Sequence, residues 1–285
     1  MNRTVYVNGQ YVPESDAQIS VFDRGFLFAD AVYEVTAVLD GKLVEFEPHM
    51  TRLERSLSEL SLQAPCTNDE LLEIHRELIT RNALDEGMIY LQISRGAADR
   101  DFAFPPEDTT ATLVLFTQDR QVADTPAARS GIKVASVPDK RWGRRDIKTV
   151  QLLYPSLAKM QAKQSGADDA WLYDDLGVTE GSSNNAYIVL DDGRIITRQL
   201  SHDILPGITR RSVLRCAADM QLTLEERPFS LEEAAMAREA FYTSATGFVM
   251  PVVELDGQKI GDGTPGPITR RLREIYIQDA RDNAI

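Results

Sequence analysis

The sequence predicts two domains of α+β or mixed α/β character, on three observations. Its 285 residues, 43% hydrophobic and 26% charged, have the make-up of an ordinary globular chain and are enough for two moderate cores. Both halves interleave short β-type runs, closed by turn signals, with stretches of helical periodicity. Between them, "DRQVADTPAARSG" is polar, carries Pro126 and has no periodicity, which is the character of a linker. The expected division is an N-terminal domain over residues 1–119, a linker over 120–128 and a C-terminal domain over 129–285.

In chain order, "TVYVNGQYVP" is a hairpin that turns on Asn8-Gly9. "DAVYEVTAVLDGKLVEF" holds two more β runs around Asp40-Gly41. In "PHMTRLERSLSELSL", Leu53, Leu57 and Leu60 recur at helical spacing, and "NDELLEIHRELITRNAL" is a helix opening on Asn68 as its cap. "GMIYLQISRG" and "TATLVLFTQ" are strands. After the linker, "IKVASVP", "DAWLYDD" and "NAYIVLDDGRIIT" are strands, and "YPSLAKMQAKQSG", "GITRRSVLRCAADM" and "SLEEAAMAREA" are helices. The closing "GPITRRLREIYIQDARDNA" is amphipathic and helical.

A formal charge of −13 argues against a nucleic-acid partner, whose phosphates are met by Lys and Arg. Cys66 and Cys216 lie far apart, and His49, His75 and His202 are isolated, so no metal-ligand spacing is present. The opening "MNRTVYVNGQYVPESD" has no apolar stretch, and no run approaches membrane-spanning length; a cytoplasmic protein without a membrane partner is expected.

Four segments could carry chemistry. The chain has only seven lysines, and Lys148 stands in "RWGRRDIKTVQLL" between Ile147 and Val150. Burial favours the neutral, nucleophilic form of an amine; the ordinary alternative is a strand-end lysine with its amine in water. "VTEGSSNNAYIVL" follows Glu180 with small turn residues, and a carboxylate there could hold a ring nitrogen protonated or belong to a plain polar turn. "LPGITRRSVLR" puts Gly207, Ile208 and Thr209 at a helix start, a ready anion site that many helices leave unused. "YTSATG", Tyr242 to Gly247, is a second small-residue turn. In the first half, Arg52 of "PHMTRLERS" and Arg95 and Arg100 of "SRGAADRDFAFP" could clamp an anion or sit in water. Together, an amine, a carboxylate for a pyridine nitrogen and an anion pocket are what pyridoxal 5'-phosphate requires.

These segments, with "FDRGFLFADAVYEV", "HMTRL", "YLQISRG", "YTSATGFVMPV" and "DGQKIGDG", run nearly end to end and resemble the fold-type IV pyridoxal-phosphate enzymes. That family includes D-amino acid, branched-chain and (R)-amine aminotransferases and aminodeoxychorismate lyases. The resemblance implies a two-domain fold, with a smaller N-terminal α/β domain and a larger C-terminal mixed α/β domain. It implies that Lys148 is the Schiff-base lysine and proton shuttle, and that Glu180 bonds the pyridine nitrogen. Arg52, the amides of Ile208 and Thr209, and the Thr209 hydroxyl would bind phosphate, and Leu205 would pack on the ring. Ala245 stands where the family usually has threonine, so only its amide, with Ser244 beside it, would serve.

The sequence is most similar to the D-amino acid branch, in which Tyr33 and an Arg-x-His pair trap the substrate carboxylate. Here Arg100 is kept and Phe102 replaces the histidine. A lost charge-assisted partner is worth roughly 1.5–3 kcal/mol, so carboxylate binding is weakened and amines without a carboxylate become acceptable. The expected reaction moves an amino group between a D-amino acid and a 2-oxo acid, with (R)-amine transamination the first alternative. Aminodeoxychorismate lyase activity and branched-chain specificity follow. The resemblance also implies a homodimer. The bulk of Tyr154, just after Lys148, has no role in this reading.

Overall fold

Asn8 and Gly9 take φ of 46° and 91°, so the backbone reverses between β1 (Thr4–Val7) and β2 (Gln10–Pro13) with the twist a two-residue hairpin needs. Asp40 and Gly41, at 52° and 71°, do the same between β3 (Ala31–Leu39) and β4 (Lys42–Leu43). The computed structural model describes residues 3–285. A short helix missed in the sequence, α1 (Arg24–Phe28), precedes β3 and is capped by the Asp23 carboxylate on the Gly25 amide. After β4 come α2 (Phe46–Glu59), α3 (Asn68–Asn82), β5 (Gly87–Ser94) and β6 (Thr112–Asp119).

The strands form one antiparallel sheet in the order β2-β1-β6-β5-β3-β4. Alternation along β5 sends Ile89, Leu91 and Ile93 inward. The helix α2 packs on β3, and α3 on β1 and β6. Thr67, rather than Asn68, caps α3. Its hydroxyl accepts from the Glu70 amide and the Glu70 carboxylate accepts from the Thr67 amide, while Asn68 turns its amide outward to Glu54.

The remaining elements are α4 (Pro126–Ser130), β7 (Ile132–Pro138), α5 (Leu153–Gln164), β8 (Asp169–Asp174), β9 (Gly177–Gly181), β10 (Asn185–Val189), β11 (Ile195–Thr197), α6 (Ile208–Asp219), β12 (Leu224–Glu226), α7 (Leu231–Ala235), β13 (Glu239–Ser244), β14 (Phe248–Leu255), β15 (Gln258–Lys259) and α8 (Pro267–Asp282). Their sheet runs β12-β11-β10-β13-β14-β7-β8-β9, with β15 beside β14. Parallel pairs β14-β7, β7-β8 and β11-β12 sit among antiparallel ones, so the sheet is mixed. Every residue of β10 is buried. The bulk of Tyr154 finds its use here: its hydroxyl donates to the Pro138 carbonyl and its ring joins Ala135, Val137, Ala158 and Leu172, pinning α5 to β7 and β8.

The chain forms two compact units. The first runs to Gln121 and takes back Ile147–Gln151 and Asn283–Ile285; the second holds Val122–Asp146 and Leu152–Asp282. Two features depart from the division expected at 120–128. The linker stretch contains α4, which Thr125 caps and Pro126 opens. The Lys148 segment belongs to the first unit because its backbone bonds to β3.

Candidate active site

In the first unit, Lys148 lies in an extended segment outside any strand, stitched to β3. The Tyr33 amide donates to the Lys148 carbonyl (3.0 Å) and the Val150 amide to the Ala31 carbonyl (3.1 Å). From α2, the buried Ser56 hydroxyl accepts from the Lys148 amide at 3.4 Å. The apolar neighbours that made this lysine conspicuous divide the work, since Ile147 goes into the core while Lys148 stays half-buried. Its Nζ stands 4.1 Å from the centre of the Tyr33 ring. Tyr33 stacks on Tyr90 at 5.5 Å, and Tyr90 on Phe116 at 4.8 Å, so the ring under the amine is backed by a row of aromatics from neighbouring strands.

Arg52 is buried and fixed. Its Nε and Nη2 each donate to Glu34 at 2.7 Å, and His49 Nδ1 meets the same carboxylate at 2.7 Å. Burial alone would raise the Glu34 pKa; Arg52 and His49 outweigh it and hold Glu34 far below the ordinary carboxylate range. Because β3 and α2 are packed together, the cation comes with its orientation already set.

Arg100 sits in an exposed loop, 5.4 Å from the Phe28 ring centre and 5.6 Å from that of Phe102, which is 80% exposed. The loop is tied down by Arg24, whose Nη1 donates to the carbonyls of Asp101 (2.7 Å) and Ala103 (3.3 Å). Arg95, one of the candidate anion clamps, is used structurally. It shares Asp30 with Arg24, donates to the Leu60 and Ser61 carbonyls, and lies 3.8 Å from the Phe104 ring centre.

In the second unit, Glu180 is on β9 rather than in a turn and is 3% exposed. One carboxylate oxygen accepts from Arg141 Nη1 (2.6 Å); the other accepts from Asn185 Nδ2 (3.0 Å) and the Leu205 amide (3.1 Å). Burial pushes its pKa above the usual carboxylate value, and Arg141 pulls against that. Arg141 is itself held two-pronged by Asp139 (2.9 and 2.6 Å), which also accepts from the Thr179 hydroxyl.

Asn185 joins this carboxylate to the start of α6. Its Nδ2 also donates to the Leu205 carbonyl, and a Cβ on Gly207 would lie 2.1 Å from its Oδ1, so a side chain at 207 would push aside the amide that bridges Glu180 and Leu205. Ile208 and Thr209 open the helix, which has no side-chain cap. The Thr209 hydroxyl is buried without a hydrogen-bond partner. Thr243, opposite Asn185 in the β10-β13 pairing, brings Ser244 and Ala245 to the same end of the sheet, where Ser244 Oγ accepts from the Gly247 amide at 3.0 Å.

Residues 31–255 match the family described as amino-transferase class IV. The chain belongs to that family. This aminotransferase is 38% identical to the D-alanine aminotransferase of Staphylococcus haemolyticus over 95% of this chain and 96% of that one. It is 34% identical to that of Bacillus licheniformis, over 99% and 96%. Among solved structures it resembles the T.th. branched-chain amino acid aminotransferase complexed with N-(5'-phosphopyridoxyl)-L-glutamate, at 29% identity and TM-score 0.89 over 99% of this chain and 95% of that one. The fold is that of the fold-type IV aminotransferases.

The aminotransferase has residues that fit a phosphorylated pyridine. An orphaned hydroxyl and an uncapped helix start suit an anion, and a buried carboxylate held by an arginine suits a protonated ring nitrogen. Sequence reasoning missed Arg141 and Asp139, and missed Glu34 and His49 behind Arg52; it read Asn185 only as one of several turn residues whose amides could orient a bound group. One signal was available, because an arginine-rich run beside a rare lysine in an acidic chain invites a search for the carboxylates that hold it. No helix among the described residues is long and apolar enough to cross a membrane.

Proposed function

We propose that this aminotransferase uses pyridoxal 5'-phosphate to move an amino group between a D-amino acid and a 2-oxo acid in a ping-pong reaction, acting as a cytoplasmic homodimer. The cofactor supplies an aldehyde carbon that exchanges amines and a ring that withdraws electrons. Lys148 provides the amine for covalent attachment and carries the proton removed from, and returned to, the substrate Cα. Glu180, with Arg141 opposing the effect of burial on its charge, would hold the ring nitrogen protonated. Arg52, the Ile208 and Thr209 amides, the Thr209 hydroxyl, Ser244 and the Ala245 amide take the phosphate, and Leu205 packs on the ring. Tyr33 and Arg100 receive the substrate, with Arg100 on its carboxylate.

One observation carries the choice of donor: identity of 38% to a D-alanine aminotransferase over essentially the whole of both chains. The branched-chain enzymes are structural neighbours with lower identity. A second reading, (R)-amine transamination, is favoured by Phe102, an exposed apolar ring in the substrate loop where D-amino acid enzymes place a histidine. The test is a half-reaction panel in which D-alanine, D-glutamate, (R)-1-phenylethylamine and L-leucine are each added to the loaded enzyme and its visible absorption is followed. D-alanine and D-glutamate should bleach it fastest. Reaction with L-leucine and none with D-alanine would overturn the assignment.

A further inference from the structure

The hairpin β13-β14, whose turn carries Ser244 to Gly247, is gripped from behind by α8 at two points. At its far end, the buried Glu239 carboxylate accepts from the Ile268 and Thr269 amides (3.1 and 2.8 Å), fixing the start of the helix. One helical turn on, buried Arg273 reaches the other end. Its Nη1 donates to the carbonyls of Gly247 (2.6 Å) and Val249 (2.8 Å). Its Nη2 donates to those of Val122 (3.1 Å) and Ala123 (2.8 Å).

The residue between the two gripped carbonyls is Phe248, fully buried and held at φ 56°. Bulky side chains seldom adopt that left-handed conformation, and it persists only where the surroundings impose it. The Arg273 guanidinium carbon also lies 5.7 Å from the Phe248 ring centre, so one side chain constrains both the backbone and the ring of the strained residue. A kink released at Phe248 would change the direction of the turn that precedes it.

We propose that Arg273 is a positioning residue for the cofactor's anionic end: by imposing the Phe248 kink it holds the Ser244–Gly247 turn in the conformation that receives the phosphate. The inference rests on the reading that this turn and the start of α6 bind phosphate. It concerns a residue about two hundred positions away from Arg52 in the sequence, and one that offers no donor to the ligand itself.

The test measures binding rather than turnover. The full chain, freed of cofactor, is titrated with pyridoxal 5'-phosphate and with unphosphorylated pyridoxal, and the ratio of the two Kd values reports how well the phosphate is received. Relative to the unaltered protein, R273M should lower that preference about tenfold, the scale of one lost charge-assisted bond. R273K, which keeps the charge without the fork, should fall between. E239Q loosens the other end of the same helix and should leave the ratio unchanged. If R273M does not fold, R273K carries the test. An unchanged ratio in the Arg273 variants, or an equal fall in E239Q, overturns the inference and leaves the phosphate reading intact. An unaltered protein with no preference for the phosphorylated ligand overturns both.

Discussion

Lys148 Nζ rests over the face of the Tyr33 ring, 4.1 Å from its centre, and that ring is braced by Tyr90. The ring is a wall that limits where the amine can stand, and a misplaced catalytic group costs rate. Tyr33→Phe keeps the face and should hold kcat/KM within about threefold, whereas Tyr33→Leu removes it and should cost about tenfold. Equal losses in the two variants would mean that the phenol hydroxyl, and not the ring, does the work.

Arg141 is the cation that opposes the effect of burial on Glu180. In Arg141→Met the carboxyl would be harder to ionise, so the acid limb of the kcat–pH profile should move to higher pH, with Glu180→Gln losing that limb altogether. The same Arg141→Met substitution leaves a buried carboxylate short of a partner and should lower stability by about 3 kcal/mol, measurable by urea unfolding. A profile that does not move would separate Arg141 from the chemistry.

Arg100 is exposed in a loop that Arg24 fastens through the Asp101 and Ala103 carbonyls. Arg100→Ala should therefore leave the fold intact and raise KM for D-alanine by roughly tenfold, with little change for (R)-1-phenylethylamine, which has no carboxylate to lose. Steady-state kinetics with both donors checks this. Equal losses would assign Arg100 a structural role.

His75 is fully buried, with Nδ1 at 2.7 Å from the Leu71 carbonyl and no partner for Nε2. Burial, followed by the nearby His49, lowers its pKa to about 4 from 6.5, although the Leu71 bond opposes this. The unfolded chain thus binds a proton at pH values where the folded one does not. The contribution to stability is complete above about 6.5 and is lost as pH falls toward 4, by at most about 3 kcal/mol. Glu34, depressed from 4.5, adds its loss only lower on the scale. Urea unfolding at pH 7 and pH 5 should show the drop, and His75→Phe should flatten it. A drop of the same size in the variant would place its origin elsewhere.

Much of the fold could be read from local signals. Asn8-Gly9 and Asp40-Gly41 turn where the sequence says they should, because positive φ is a property of those residues. The Thr67 cap was also written locally, as Thr-x-x-Glu, and Asn68 merely stood next to it. Other features were not local. Glu180 reads as turn-like beside its glycines, yet β8 pairs with that stretch and makes it a strand. The helix expected through "SLEEAAMAREA" stops at Ala235, and Glu239 already begins β13, since sheet pairing overrides helical propensity there. For the site, rare lysine, helix start and small-residue turns were legible as types. The partners that set their charge and direction come from elsewhere in the chain and depend on packing: Arg141 on Glu180 from the loop after β7, and Glu34 on Arg52 from β3.

The chain crosses between its units at Gln121, Asp146, Gln151 and Asp282, so neither unit is a single stretch of gene. Anyone recombining this enzyme with a relative cannot exchange the first unit by one splice. A chimera joined only near position 121 would carry one parent's β3 beside the other parent's five-residue insert, and the insert holds Lys148. Exchange libraries should therefore treat residues 147–151 as travelling with the amino-terminal fragment, and parental mismatch there should appear as lost cofactor attachment in protein that still folds.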